Sequence, residues 1–98
     1  MINLDVDNRG VATLTLARAD KHNALSQAMI DGLTQAAARI AVDRSIRVVV
    51  LAADGPTFCA GGDLGWMRDQ MAADTATRRA AATSLAEMLG ALNTLPQP

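Results

Sequence analysis

Residues 46–53 read Ile-Arg-Val-Val-Val-Leu-Ala-Ala, a nearly continuous β-branched and apolar run. Such a run predicts a strand covered on both faces, because it offers water almost no polar side chain on either. A chain of 98 residues has room for one core and not for two. The rest of the chain must therefore pack around that strand.

The flanking patterns say how. Ile2, Leu4 and Val6 alternate with Asn3, Asp5 and Asp7, the period-two pattern of a half-buried strand. Asn8-Arg9-Gly10 is a turn, and Val11–Leu16 alternates again, so the first two strands are expected to form a hairpin. Residues 18–23 form a polar loop, and Ser26 is placed to cap a helix over about 27–42. Its apolar stripe is Met29, Ile30, Leu33, Ala37, Ile40 and Ala41. Asp54-Gly55-Pro56 breaks the third strand, and a short helix is expected over Leu64–Gln70. A long helix follows from about Thr75 to Asn93, with Ala81, Leu85, Met88, Leu89 and Leu92 on one face. Strand, strand, helix, strand is an α/β order in which the helix returns the chain to the sheet. Leu95-Pro96-Gln97-Pro98 directly after a helix reads as a chain that stops before its next strand.

Composition narrows the function classes. Half the residues are apolar, but only two are aromatic, so the core must rest on close helix–sheet packing of small side chains. The net charge is −1, and no basic stripe with interleaved aromatics points to nucleic acid. Arg78-Arg79 fits a solvated helix face. One cysteine forms no internal disulfide, in keeping with a reducing compartment. The opening MINLDVDNRG lacks the pattern of a signal peptide, and no window is apolar enough to span a membrane. A cytoplasmic protein without a membrane partner is the expectation.

The stretch Phe58-Cys-Ala-Gly-Gly-Asp-Leu-Gly-Trp-Met67 carries the chain's only cysteine, phenylalanine and tryptophan. Glycines let backbone come close to a ligand, and amides that open a helix are free to donate. A backbone donor near Gly61 or Gly62 is thus suited to an anionic oxygen, although a Gly-Gly pair is equally at home in a plain tight turn. Asp63 reads as the cap of the following helix more than as a reacting group. Cys59 reads as a small buried hydrophobe, and Trp66 and Met67 as packing residues. His22, the only histidine, suits a structural or ligand-edge contact better than general-base work. One histidine and one cysteine so far apart offer no metal site. Ala60-x-Gly62-x-x-Gly65 is a degenerate dinucleotide fingerprint, but it does not directly follow its strand and a helix stands where the acid-bearing strand should be.

Two motifs carry a resemblance. Asp20-Lys-His-Asn-Ala-Leu-Ser26 resembles the loop ending in Asn-Ala-Leu of the crotonase superfamily, the enoyl-CoA hydratase/isomerase family. Phe58-Cys-Ala-Gly-Gly-Asp-Leu64 resembles its Phe-x-Ala-Gly-x-Asp-Leu/Ile signature, at the usual separation and with the usual strand between. Ala19 departs from the pattern, since the family usually has proline there, which loosens the loop entry slightly.

The resemblance covers the whole chain and implies the N-terminal portion of a crotonase-like ββα spiral domain, with residues 1–98 ending before its second oxyanion segment. It implies an acyl-CoA thioester as substrate, hydration of an α,β-unsaturated acyl-CoA as the favoured reaction, and no cofactor beyond the coenzyme A that the substrate carries. It makes the Gly62 backbone amide one donor of an oxyanion hole. Lys21, His22 and Ala24 would line the path of the CoA, while Ala60, Asp63 and Leu64 would lie around the thioester and adenine. Asp63-Leu-x-Trp-Met67 is most like the branched-chain hydratases, methylglutaconyl-CoA hydratase among them. The family's second amide and its catalytic glutamates map onto no residue here, and Glu87, the only glutamate, stands in the wrong helix. The complete fold would assemble as a trimer or a dimer of trimers. The alternative is an inactive fragment that keeps a CoA-binding or subunit-contact surface, with an exposed strand edge and a bare helix face.

Overall fold

A computed structural model describes residues 1–98. The hairpin forms as its alternation predicts: β1 (Ile2–Val6) runs antiparallel to β2 (Val11–Leu16), with Leu4 opposite Leu14. Gly10 turns the chain at φ +82°, and a side chain there would run into the Ser45 carbonyl oxygen. Helix α1 (Gln27–Ala41) starts where Ser26 accepts a hydrogen bond from the Met29 N–H. It carries the chain to β3 (Val48–Ala53), which pairs parallel with β2, Leu14 opposite Leu51. The sheet order is β1-β2-β3. Helices α2 (Leu64–Ala72) and α3 (Thr75–Asn93) complete the fold, each capped by an aspartate side chain, Asp63 and Asp74.

One helix layer on one face of the sheet makes the core. Ala12, Leu14 and Leu16 of β2 meet Met29, Ile30, Leu33, Ala36 and Ile40 of α1, and Met88 of α3 closes the cluster. Ala41, expected on the apolar stripe, is exposed, and Ala36 takes a buried place instead. In α3, Leu85 and Leu92 pack against the core beside Met88, whereas Leu89 is 54% exposed. Spacing puts Leu89 on the face of Leu85 and Leu92, four residues after one and three before the other, but α3 meets α1 along a narrow seam that it misses.

The expectation that the third strand is covered on both faces is corrected by the structure. Val50 and Leu51 are 46% and 44% exposed. The strand is an edge strand, and the sheet face opposite α1 carries Val11, Thr13, Thr15, Val48, Val50 and Ala52 with no layer over it. The molecule measures 46 × 28 × 15 Å, and its thinnest dimension has room for one sheet and a single helix layer. Its accessible surface of 6131 Å² exceeds the roughly 5300 Å² expected of a compact monomer of this length. At the end of the chain, the Pro98 carbonyl accepts from the Val49 N–H at 2.9 Å, so the tail touches the free edge of β3. No helix is long and apolar enough to cross a membrane.

Candidate active site

Two loops at one end of the sheet build the site. The first joins β2 to α1. After a single 3-10 turn at Ala19–Lys21, His22 and Asn23 both adopt left-handed backbone, at φ 52° and 54°. Asparagine tolerates that region better than most residues, and here it is also fully buried. Its Oδ1 accepts from the Arg18 N–H at 2.8 Å, while its Nδ2 donates to the carbonyls of Asp54 at 2.9 Å and Thr57 at 2.8 Å. A buried amide this well satisfied fixes the loop and ties it to the second loop.

The second loop runs from β3 to α2 and contains the Gly-Gly pair. It lies alongside the first through a ladder of backbone hydrogen bonds. Ala60 N–H donates to His22 O at 3.0 Å, Leu25 N–H to Gly61 O at 2.7 Å, and Asp63 N–H to Leu25 O at 2.9 Å. Gly61 takes φ +98° with open space about it. The Gly62 N–H, between these rungs, donates to no protein group. Its neighbours on either side are held, so its direction is fixed while its hydrogen stays free. A β-carbon on Gly62 would meet Met67 Cγ and Sδ at 3.3 Å, so alanine fits with a small shift of a flexible side chain.

Asp63 ends the loop and opens α2. Its Oδ1 accepts from the Trp66 N–H at 2.9 Å, and its Oδ2 pairs with Arg18 Nη1 at 3.0 Å. The Trp66 N–H contributes most to holding the Asp63 carboxyl below its ordinary range; partial burial opposes it and Arg18 adds to it. Asp63 is therefore an ionised cap with both oxygens engaged. Trp66 is anchored in turn, its Nε1 donating to Gln27 Oε1 at 3.0 Å, and Gln27 reaches Ser84 Oγ at 3.0 Å. One glutamine thus joins α1, α2 and α3.

Between the loops lies a cleft of about 620 Å³. Lys21, His22 and Ala24 line one wall, and Ala60, Gly62, Asp63 and Leu64 the other, so the seven residues that the resemblance implied for substrate contact face the same space, whereas Gly61, Cys59, Trp66 and Met67 do not line it. Arg18, Asp20 and Gly65 line it as well. Cys59 is half-buried against the core, a packing position. No three metal-ligating side chains converge anywhere. The dinucleotide pattern finds no support, because the loop from Asp54 to Asp63 separates β3 from α2 and α3 follows directly. Sequence reasoning missed Arg18, Asn23 and Gln27. Only Asn23 carried a signal, as an asparagine in a tight polar loop; the others bond to partners far away in the chain.

This arrangement can hold a charged or polarised oxygen at a free backbone amide, with small and apolar groups beside it and side chains of both charge signs around the cleft. Known proteins resemble the chain in sequence and fold. A family profile described as Enoyl-CoA hydratase/isomerase matches residues 6–97. A probable enoyl-CoA hydratase of Mycobacterium tuberculosis is 40% identical over 88 residues, covering 90% of this chain and 32% of that protein. The mitochondrial methylglutaconyl-CoA hydratase of Mus musculus is 35% identical over 63 residues, 63% of this chain and 20% of that protein. The crystal structure of an enoyl-CoA hydratase from Shewanella pealeana superposes with a TM-score of 0.94 at 34% identity, covering 99% of this chain and 36% of that one. That of an enoyl-CoA hydratase from Mycobacterium smegmatis gives 0.91 at 41%, covering 99% and 37%. The chain spans about a third of the length of these relatives. Fold, motifs and sequence agree that this chain belongs to the enoyl-CoA hydratase/isomerase (crotonase) family and corresponds to its N-terminal portion.

Proposed function

We propose that the cleft binds the thioester end of an acyl-CoA and that the Gly62 N–H stabilises the enolate formed there. The single observation that carries this reading is the Gly62 amide, held between bonded neighbours yet donating to nothing. When water adds to the β-carbon of an α,β-unsaturated thioester, negative charge passes to the thioester oxygen until the α-carbon takes a proton. A donor already aimed at that oxygen stabilises the charge without reorganising, and one such donor contributes about 10²–10³ in rate. Lys21 and His22 at the rim suit the CoA phosphates, and Ala60 and Leu64 offer apolar contact. Asp63 supports the site as a cap and does not act as a base. Residues 1–98 form the N-terminal part of one crotonase-like domain, with the second donor and the water-positioning carboxylates supplied by further chain, in a homo-oligomer that is a trimer or a dimer of trimers. A branched unsaturated acyl group is the favoured substrate, supported by Asp63-Leu-x-Trp-Met67 and by the methylglutaconyl-CoA hydratases among the relatives.

Calorimetric titration tests the reading on the chain itself. Crotonyl-CoA should bind more tightly than free CoA, and Gly62→Pro, which removes the N–H, should erase the difference while leaving CoA binding in place. Equal affinity for both ligands in a folded wild-type chain would sink the assignment. In the full-length polypeptide, the same substitution should abolish hydration, and 3-methylglutaconyl-CoA should be turned over faster than crotonyl-CoA.

A second reading concerns the 98 residues acting alone: a CoA-binding surface without turnover. It is favoured by Asp63, whose oxygens are both occupied, leaving the thioester wall of the cleft without a free carboxylate. Binding without hydration by the isolated chain would support it.

A further inference from the structure

We propose that Arg18 is a positioning residue for the Gly62 amide, acting as a clamp between the two loops. Arg18 Nη1 reaches both sides of the cleft at once, donating to Ala24 O at 3.2 Å in the first loop and pairing with Asp63 Oδ2 at 3.0 Å at the head of α2. Its own backbone N–H is held by Asn23, so the clamp is rooted in the first loop. Across the cleft, Asp63 is the residue after Gly62, and its N–H is the rung that fixes the Gly62–Asp63 peptide to Leu25. The Gly62 N–H lies in the preceding Gly61–Gly62 peptide, whose carbonyl accepts from the Leu25 N–H, so both peptides flanking Gly62 are bonded to Leu25, and holding Asp63 against Arg18 keeps that pair of rungs closed.

The surroundings separate this pair from an ordinary surface contact. The Arg18 and Asp63 side chains are 19% and 18% exposed. In the other ion pair of the chain, Arg9 and Asp7 are 76% and 34% exposed and only two residues apart, spanning a single turn. A charge-assisted bond that is sheltered and joins distant segments holds geometry in a way that an exposed local one does not. Arg18 also lines the cleft, so its effect must be told apart from direct contact with ligand.

The functional half of this inference rests on the acyl-thioester reading, and its test is chosen to separate the two. The chain is labelled with nitrogen-15, and the amide signals of Leu25, Gly62 and Asp63 are followed in wild type, Arg18→Met, Arg18→Lys and Asp63→Asn. In the free protein, Arg18→Met should shift the Gly62 signal and speed hydrogen exchange at Leu25 and Asp63, and Arg18→Lys should restore most of both. On titration with acetoacetyl-CoA, an acyl thioester that enolises readily, wild type should move the Gly62 signal, and free CoA should not. Arg18→Met should weaken acetoacetyl-CoA about tenfold, the size of one charge-assisted hydrogen bond, with CoA affinity unchanged. Asp63→Asn should reproduce the Arg18→Met effect.

Unchanged exchange at Leu25 and Asp63 in a folded Arg18→Met chain overturns the clamp, whatever the ligand does. An equal loss for CoA and acetoacetyl-CoA also overturns it, since that is the mark of direct ligand contact. If wild-type Gly62 ignores acetoacetyl-CoA, the thioester reading fails, and the free-protein measurements still decide the clamp.

Discussion

The first half of the chain and the second half are built to different standards. Nearly all of the buried apolar residues, from Ala12 to Ile46, come from β2, α1 and the turn after it, and beyond them only Met88 joins the core. Helix α2 buries no residue fully, and Val50, Leu51, Phe58, Leu64, Met67, Met71 and Leu89 are all exposed large hydrophobics of the second half. The cleft lies on the boundary. Its first wall belongs to the part with its own core, and its second wall hangs from that part by backbone rungs, Asn23 and Arg18. A site can therefore be well shaped on one side while depending on a few polar ties on the other.

Leu14→Ala and Met71→Ala probe that contrast most strongly. Leu14 is completely buried, and truncating it should cost about 2–5 kcal/mol, close to the whole stability of a small domain. Met71 is 80% exposed, and the same truncation should stay within about 0.5 kcal/mol. Urea unfolding of both variants measures the difference, and comparable losses would erase the distinction between the halves.

Asn23→Ala tests the tie between them. It strands the Arg18 N–H and the Asp54 and Thr57 carbonyls, and should cost about 1–3 kcal/mol. The loss should appear as faster hydrogen exchange at Ala60 and Leu25, with the β1–β2 ladder retaining its protection. Uniform loosening throughout would mean that the loops and the core form one cooperative unit.

Ser26→Ala should cost about 1 kcal/mol, the ordinary value of a helix N-cap, and should spare α2 and α3.

The smallest effect concerns acid. The folded pKa of Asp63 lies below the ordinary 3.8, so its stabilising effect is complete above that value. It is lost as pH falls through 3.8 and on through the lower folded value. Trp66, the only tryptophan, sits on α2 and reports it by fluorescence. Its acid transition should flatten in Asp63→Asn, and an unchanged transition would remove the carboxylate from the account of α2.

Much of this fold was legible because its patterns are local. Alternation over Ile2–Val6 and Val11–Leu16, the capped periodicity of α1 and the periodicity of α3 depend on neighbours within a turn or two, and those elements form where expected. The burial of β3 was misread because composition shows that a strand can be covered, whereas coverage depends on what lies opposite it. In the cleft, the glycines and small residues were visible as a motif. Arg18 and Gln27 were not, since each acts through a partner about forty or more residues away and leaves no period in the sequence. Gln27 looks like any polar residue in a first helical turn until Trp66 and Ser84 arrive beside it.

The lone Cys59 has a practical consequence. It stands shortly before Gly62, so a synthetic segment beginning at Cys59 can be joined to a recombinant Met1–Phe58 thioester by native chemical ligation, without adding a residue. The Gly61–Gly62 peptide could then be made as an ester, replacing one nitrogen by oxygen and deleting a single hydrogen donor while every side chain stays as it was. That donor serves no protein group, although the Gly61 carbonyl, as an ester, would accept more weakly from Leu25. The ester protein should therefore fold nearly as well as its parent and lose the preference for an acyl thioester over free CoA that is proposed for the cleft, an atomic edit that the genetic code cannot write.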